Sequence, residues 1–300
     1  MILGAILERA DPRDALIVAP WRQEKSLDEL PADSVIGTSS TRRIAQLKLN
    51  YPQFQYKNIR GNMNTRWEKL NNRELGYDAM IAAVAGFQRL NWSDRISEII
   101  EPDRVLYAIG QGALGIECRH NDHDTIRMLS VLNHEPTVVR CIAERAFLRR
   151  STLFFCCCRL FTQNFVRFFL VEGGCSIPNA VRTDYNGKSL SISGILLNLD
   201  GSRYVKDHIE IADVSIPLLT PPPTFLLHQT NNDNDEEEEE EGKKGLDQSL
   251  YRHFAYICAV NMNETILENA EISGTNLAVK LMQLGAGSIL EEIHTKVSSQ

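Results

Sequence analysis

Apolar positions along the chain fall into unlike regimes. Between residues 35 and 90, short apolar runs alternate with helix-period stretches. Val35-Ile36-Gly37-Thr38 is followed by a helical pattern carrying Ile44 and Leu47. Residues 54–59 alternate as a strand and lead into a helical stretch with Trp67 and Leu70, and 78–84 form a buried-strand run closed by Gly86 and 87–90. Strands alternating with short helices predict a parallel or mixed sheet in an α/β domain. Residues 106–117 are Gly-rich and extended. Two helices are expected at 122–132 and 136–150, the second with Val138, Val139, Ile142, Ala146 and Phe147 at a 3.6-residue period. From Val181 the pattern changes. Tyr185-Asn186-Gly187-Lys188 signals a two-residue hairpin, Asp200-Gly201 a second turn, and a helical pattern runs from 275 to 295 with breaks near Gly285 and Gly287. This predicts an α+β module with an antiparallel sheet and helices on one face.

Two segments depart from this plan. Residues 217–249, with Pro221-Pro222-Pro223 and an acidic tract, have the composition of a disordered surface loop. Residues 151–171 form an aromatic, apolar block of nearly membrane-spanning length, but Arg159, Gln163, Asn164 and Arg167 interrupt it. A charge at a helix centre costs about 2.5–3.5 kcal/mol on the insertion scale, so no span is expected.

Composition adds three constraints. The net charge of -7 argues against general nucleic-acid binding. Residues 233–241 supply much of that negative charge, which leaves the remainder near neutral, with basic residues able to gather round an acidic ligand. The 7 cysteines (Cys118, Cys141, Cys156, Cys157, Cys158, Cys175 and Cys258) are odd in number, and no signal peptide precedes them. A reducing, cytoplasmic setting fits better than a disulfide framework. No Cys/His set has zinc spacing, so no metal is expected, and His120 and His123 are assigned a structural or solvent-facing role.

The chemistry concentrates at strand–helix junctions. Arg42 and Arg43 begin a helix after Thr38, Ser39 and Ser40. Arg60 ends a strand, Arg66 lies in the next helix's first turn, and Arg89 follows the Gly86 turn. Ligands bind outside the carboxyl ends of strands in open α/β sheets, where helix N-termini already favour anions. Arginine is unfavourable there for the helix itself. Repeating it suggests an anion with several carboxylates or phosphates, gripped by guanidinium forks. Cys175 follows Gly173-Gly174, a pair that lets the backbone turn sharply and expose the sulfur.

Five motifs occur in order: Gly37-Thr38-Ser39-Ser40-Thr41-Arg42-Arg43, Arg60-Gly61-Asn62-Met63-Asn64-Thr65-Arg66, Gly110-Gln111-Gly112-Ala113-Leu114-Gly115-Ile116-Glu117, Ala143-Glu144-Arg145-Ala146-Phe147-Leu148 and Glu172-Gly173-Gly174-Cys175-Ser176. Together they resemble the porphobilinogen deaminase (hydroxymethylbilane synthase) family over nearly the whole chain outside the two departing segments. The resemblance implies two periplasmic-binding-protein-like α/β domains and a C-terminal α+β domain. Residues 1–17 and 106–128 would be remnants of the first domain and 18–105 the second. Residues 129–150 would be connecting helices, 151–171 an insert, and 172–300 the cysteine-bearing domain with its loop at 217–249. It further implies one dipyrromethane cofactor bound covalently to Cys175, with Arg42, Arg43, Arg60, Arg66 and Arg89 on its carboxylates and Thr38, Ser39, Ser40 and Gln111 lining the cleft. The implied activity joins four molecules of the small-molecule substrate porphobilinogen into hydroxymethylbilane, for tetrapyrrole and haem synthesis, in a cytoplasmic monomer without membrane or nucleic-acid partners.

Two features depart from the family. Its catalytic Asp sits in a Ser-x-Lys-Asp-x-Pro motif that would lie upstream of Met1. Nothing here matches it, and Lys206-Asp207 lacks the flanking Ser and Pro. No catalytic acid is therefore named, and a catalytically inactive fragment or isoform that only binds pyrrole carboxylates is the alternative. In the family, the helix ending near Arg150 runs almost directly into the Cys175 loop, so the intervening 151–171 reads most simply as a translated intron.

Overall fold

The computed structural model describes residues 1–157, 177–218 and 253–298. Its first strand, β1 (Ile2–Ile6), is followed by β2 (Asp14–Val18), β3 (Val35–Gly37), α1 (Thr41–Asn50) and β4 (Gln55–Lys57). Next come α2 (Met63–Asn71), β5 (Ala79–Ala83), α3 (Val84–Arg89) and β6 (Glu98–Ile100). Strands β2 to β6 make one sheet in the order β4-β3-β5-β2-β6. The first three are mutually parallel, while β2 runs antiparallel to both β5 and β6. The sheet is mixed, and the molecule is a mixed α/β protein.

Both faces of this sheet are covered, which explains why β2 and β5 are apolar rather than alternating. Period-two geometry sends Leu16 and Ile81 into one core with Ile36, Leu47 and Phe54. It sends Ile17, Met80 and Ala82 into the other, with Ile59, Leu70 and Phe87. Ser40 caps α1 by accepting from the Arg43 amide, and Asn62 caps α2 by accepting from the Thr65 amide. Each satisfies one of the donors that a helix start leaves without a partner.

The chain continues through β7 (Gly115–Cys118), α4 (His123–Leu129) and α5 (Glu135–Cys157). Beyond residue 176 come β8 (Asn179–Tyr185), β9 (Leu190–Leu197) and β10 (Tyr204–Ile211), an antiparallel sheet in the order β10-β9-β8. Then come β11 (His253–Phe254), β12 (Ile257–Cys258), α6 (Glu264–Leu281) and α7 (Gly287–Ser298). The third and largest core joins α5, α6 and α7 to the β8–β10 sheet through Phe147, Ile192, Leu277 and Leu290, among others. A small sheet in the order β11-β12-β1-β7 puts β1 between a parallel and an antiparallel neighbour.

Several sequence boundaries need correction. β2 begins at Asp14 and pairs with β5 and β6, so the chain has entered the five-stranded sheet before residue 18. The extended stretch 106–117 is tied down at both ends, since Tyr107 bridges to Val181 and β7 pairs with β1. Tyr185 pairs with Leu190, which makes the first hairpin loop four residues long, with Gly187 at φ 89. α5 passes Arg150 to Cys157, because the helical period does not stop where the apolar block starts. α6 starts at Glu264, where Asn263 caps it, and Gly285 at φ 101 breaks the helix before α7. The remainder of the 151–171 block, Cys175 and most of the 217–249 loop lie outside the described residues. Among the described residues, no helix is long and apolar enough to cross a membrane.

Candidate functional site

The parallel trio β4-β3-β5 delivers its junctions to one end of the sheet. Arg42 and Arg43 stand in the first turn of α1, and both are buried. Between them lies Asp14, the first residue of β2, fully buried at 0% exposure. Arg42 Nη1 is 2.8 Å from Asp14 Oδ2, and Arg43 Nη2 donates to Asp14 Oδ1 at 2.8 Å. Arg42 Nη1 also donates to the Leu106 carbonyl at 2.6 Å, and Arg43 Nη1 to the Ile81 carbonyl at 3.2 Å. Arg43 Nε is buried without a partner, and Asp14 Oδ2 has its ion contact without an aligned hydrogen bond. Burial alone would raise the Asp14 carboxyl, but the Arg42 and Arg43 guanidiniums outweigh it and hold the group well below the usual carboxylate range. Burial pushes Arg42 down, an effect that Asp14 opposes and Arg43 reinforces. Two cations therefore share one anion at a shielded helix start, an arrangement with unspent positive charge.

The hydroxyls before α1 are locally engaged. Thr38 Oγ1 accepts from the Ser40 amide at 3.3 Å, and Ser39 Oγ donates to the Ile59 carbonyl at 3.1 Å. They fix the junction's shape. Gln111 reaches the cluster from the loop before β7. Its Nε2 donates to Asp14 Oδ1 at 2.8 Å and to the Pro12 carbonyl at 2.6 Å, and its Oε1 accepts from Arg42 at 3.3 Å.

The other three arginines form an outer ring. Arg60 is exposed, and Arg66 is half-buried, with its Nε donating to the Gly61 carbonyl at 2.8 Å. Burial, and then the nearby Arg43 charge, lower Arg66. Arg89 is the last residue of α3 rather than a helix start, because Gly86 lies inside that helix; its long side chain donates to the Gly112 carbonyl at 2.8 Å. Among the described residues, none of the three has a carboxylate within ion-pair distance. The structure thus brings Arg42 and Gln111 into direct contact and joins Arg42 and Arg43 through Asp14, holds Arg66 near enough to feel the Arg43 charge, ties Arg89 to the backbone beside Gln111, and leaves Arg60 exposed. Cys175 lies outside the described residues.

Sequence reading missed Asp14. Its signal was an acid opening the run Asp14-Ala15-Leu16-Ile17-Val18, where a buried carboxylate needs a cationic partner. It also missed a second buried pair. Arg9 Nη1 donates to Glu144 Oε1 at 2.6 Å, with Arg9 and Glu144 side chains 3% and 0% exposed. Arg9 Nε donates to the Gln111 carbonyl at 2.9 Å, so this pair buttresses the loop that meets Asp14. A cavity of about 120 Å³, lined by Gln46, Asn50, Arg104, Ile195, Tyr204 and Lys206, lies at the other end of α1. Leu106 lines it too, and the Leu106 carbonyl accepts from both Gln46 and Arg42, so the cavity backs onto the charge cluster.

Residues 1–127 match the family model described as porphobilinogen deaminase, dipyromethane cofactor binding domain. Porphobilinogen deaminase of Synechococcus elongatus is 45% identical over 209 residues, covering 70% of this chain and 58% of that protein. The enzyme of Prochlorococcus marinus is 44% identical over 207 residues, 69% of this chain and 59% of that protein. That of Gloeobacter violaceus is 47% identical over 203 residues, covering 67% and 55%. The chain thus spans under two thirds of the length of these curated relatives.

Proposed function

We propose that the chain is a member of the porphobilinogen deaminase family, supported by the family-model match over residues 1–127 and by relatives 44–47% identical, and that it forms the carboxylate-binding and C-terminal parts of a transferase of tetrapyrrole synthesis. The proposed reaction joins four porphobilinogen molecules, with loss of ammonia, into hydroxymethylbilane. The observation that carries this reading is the buried Arg42–Asp14–Arg43 cluster, with more positive than negative charge and an unpartnered Arg43 Nε. Such a site suits a ligand bearing several carboxylates, as the acetate and propionate groups of pyrroles do.

The residues fit a dipyrromethane group. Arg42 and Arg43 supply a pre-oriented inner pair, Arg66 and Arg89 supply donors beside it, and Arg60 guards the rim. Thr38 and Ser40 add hydroxyls, Gln111 holds Asp14 and Arg42 in place, and Cys175 would hold the group through a thioether. When bound, that group supplies the pyrrole carbon to which new units are joined. The arginines' task is electrostatic: they hold carboxylates where bulk water is excluded, so each ion contact counts for more than at a surface. The two-domain periplasmic-binding-protein-like plan, the cytoplasmic setting and a monomeric state belong to the same proposal. A binder without turnover has no separate observation in its favour.

Intact-mass measurement of the purified 300-residue chain tests the reading. An adduct of dipyrromethane mass, absent from Cys175→Ser and depleted in Arg66→Ala with folding unchanged, is the expected result. An adduct that persists in Cys175→Ser, or no adduct in any form, would overturn it. Incubation with porphobilinogen, followed by a search for tetrapyrrole products, separates turnover from binding.

A further inference from the structure

His120 and His253 are 133 positions apart, one following β7 and the other opening β11, at opposite edges of the small sheet. Their side chains nevertheless meet. The two Nε2 atoms are 3.1 Å apart, and the rings approach edge-on with centroids at 4.9 Å. No role in the arginine site reaches them.

Proton placement at this contact is constrained. His120 Nδ1 is 2.6 Å from the Asn121 side-chain oxygen, which can only accept, so Nδ1 carries the proton. That leaves His120 Nε2 as a lone pair aimed at His253. A single proton on His253 Nε2 then holds the pair together, and among the described residues the buried His253 Nδ1 has no hydrogen-bond partner. Two imidazole nitrogens therefore face each other across one exchangeable proton.

We propose that His120 and His253 form a two-histidine site for a divalent transition-metal ion of the zinc type, the ion replacing the shared proton between the Nε2 atoms. Zinc–nitrogen bonds of about 2.0–2.1 Å at a tetrahedral angle place two ligand nitrogens roughly 3.3 Å apart, so the observed 3.1 Å separation needs little change while the two rings turn to aim their lone pairs at the ion. Asn121 acts as the outer partner that fixes the ligating tautomer of His120, the usual arrangement around metal-bound histidine. Among the described residues, no group of three or more ligating side chains gathers at one point. The remaining positions on the ion are therefore open to water or to an external donor. Borderline divalent ions suit imidazole, whereas magnesium and calcium prefer oxygen ligands. Because the ligands come from two edges of the sheet, occupancy would tie β11 to the loop after β7 and raise the melting temperature.

The test uses the folded 300-residue chain with its accessible thiols blocked by N-ethylmaleimide, so that exposed cysteines do not compete, and titrates Zn²⁺ by calorimetry. The expected result is a single bound equivalent and a higher melting temperature. His120→Ala and His253→Ala each abolish both effects, while magnesium produces neither. His120 is exposed, so His120→Ala carries the test alone if His253→Ala does not fold. Absence of binding to the blocked chain, or retention of the equivalent in either folded variant, would overturn the proposal.

Discussion

Asp14 is the residue on which the basic cluster turns. A buried ion pair gains little over an apolar substitute, but removing one member leaves an uncompensated buried charge, which costs about 3–5 kcal/mol. Asp14→Asn should therefore destabilise the chain by about that amount in urea unfolding, since both guanidiniums lose their shared anion. Arg60→Ala, at an exposed side chain with no ion partner among the described residues, should leave the midpoint within about 0.5 kcal/mol and lower only carboxylate binding. The pH dependence has a definite sign. Asp14 is depressed in the folded state, so its contribution is full above the ordinary aspartate value of about 3.9 and drains away as pH falls below it. Wild type should lose stability on acidification below about pH 4 more steeply than Asp14→Asn does.

Close backbone approach decides how the elements sit. Gly274 in α6 lies against α5 so tightly that an added Cβ would fall 1.9 Å from the Ala143 carbonyl oxygen. Gly274→Ala must push the two helices apart, at a cost of about 1–3 kcal/mol or more. Gly201, in the β9–β10 turn, combines φ +74 with a Cβ position 2.2 Å from the Ala45 carbonyl oxygen of α1. Gly201→Ala should therefore lower the melting temperature and also displace α1, weakening carboxylate binding. Gly187 has φ +89 but nothing within 4 Å of its Cβ position. Gly187→Ala should carry the backbone penalty alone, about 1–2 kcal/mol, with binding unchanged. Thermal melts and binding assays on the three variants separate strain from collision. The turns at Gly187 and Gly201 were legible in the sequence because φ preference is local. The crossing at Gly274 was not, since nothing adjacent in the chain announces a helix passing over it.

At the scale of the whole molecule, Glu144 is the junction. Its carboxylate accepts from Arg9 after β1, from the Gly110 amide at 2.7 Å before β7, and from Thr183 of β8 at 2.5 Å. Three distant stretches thus close on one buried side chain of α5. Glu144→Ala should uncouple the five-stranded sheet from the β8–β10 sheet and its helices. Trp21, Trp67 and Trp92 all pack in the five-stranded unit, whereas α5, α6 and α7 dominate the helical dichroism. Fluorescence and dichroism transitions should coincide in the wild type and separate in Glu144→Ala. Cys141, one turn before Glu144 and pushed up to about 12 by burial and then by that carboxylate, should resist alkylation until the core opens.

The order of the motifs, the strand positions at 35–37, 55–57 and 79–83, and the gathering of arginines at the ends of parallel strands were all settled by the sequence alone. Each follows from short-range rules: side-chain period, cap chemistry and the φ preferences of glycine. Tertiary structure decided which charges meet. Asp14 with Arg42 and Arg43, Arg9 with Glu144, and His120 with His253 join residues roughly 28 to 135 positions apart. Arg89 likewise reached the site through side-chain length rather than through a place at a helix start. Spacing along a chain carries no record of such pairings. They form because burial penalises an isolated charge, and the fold must bring a partner to it.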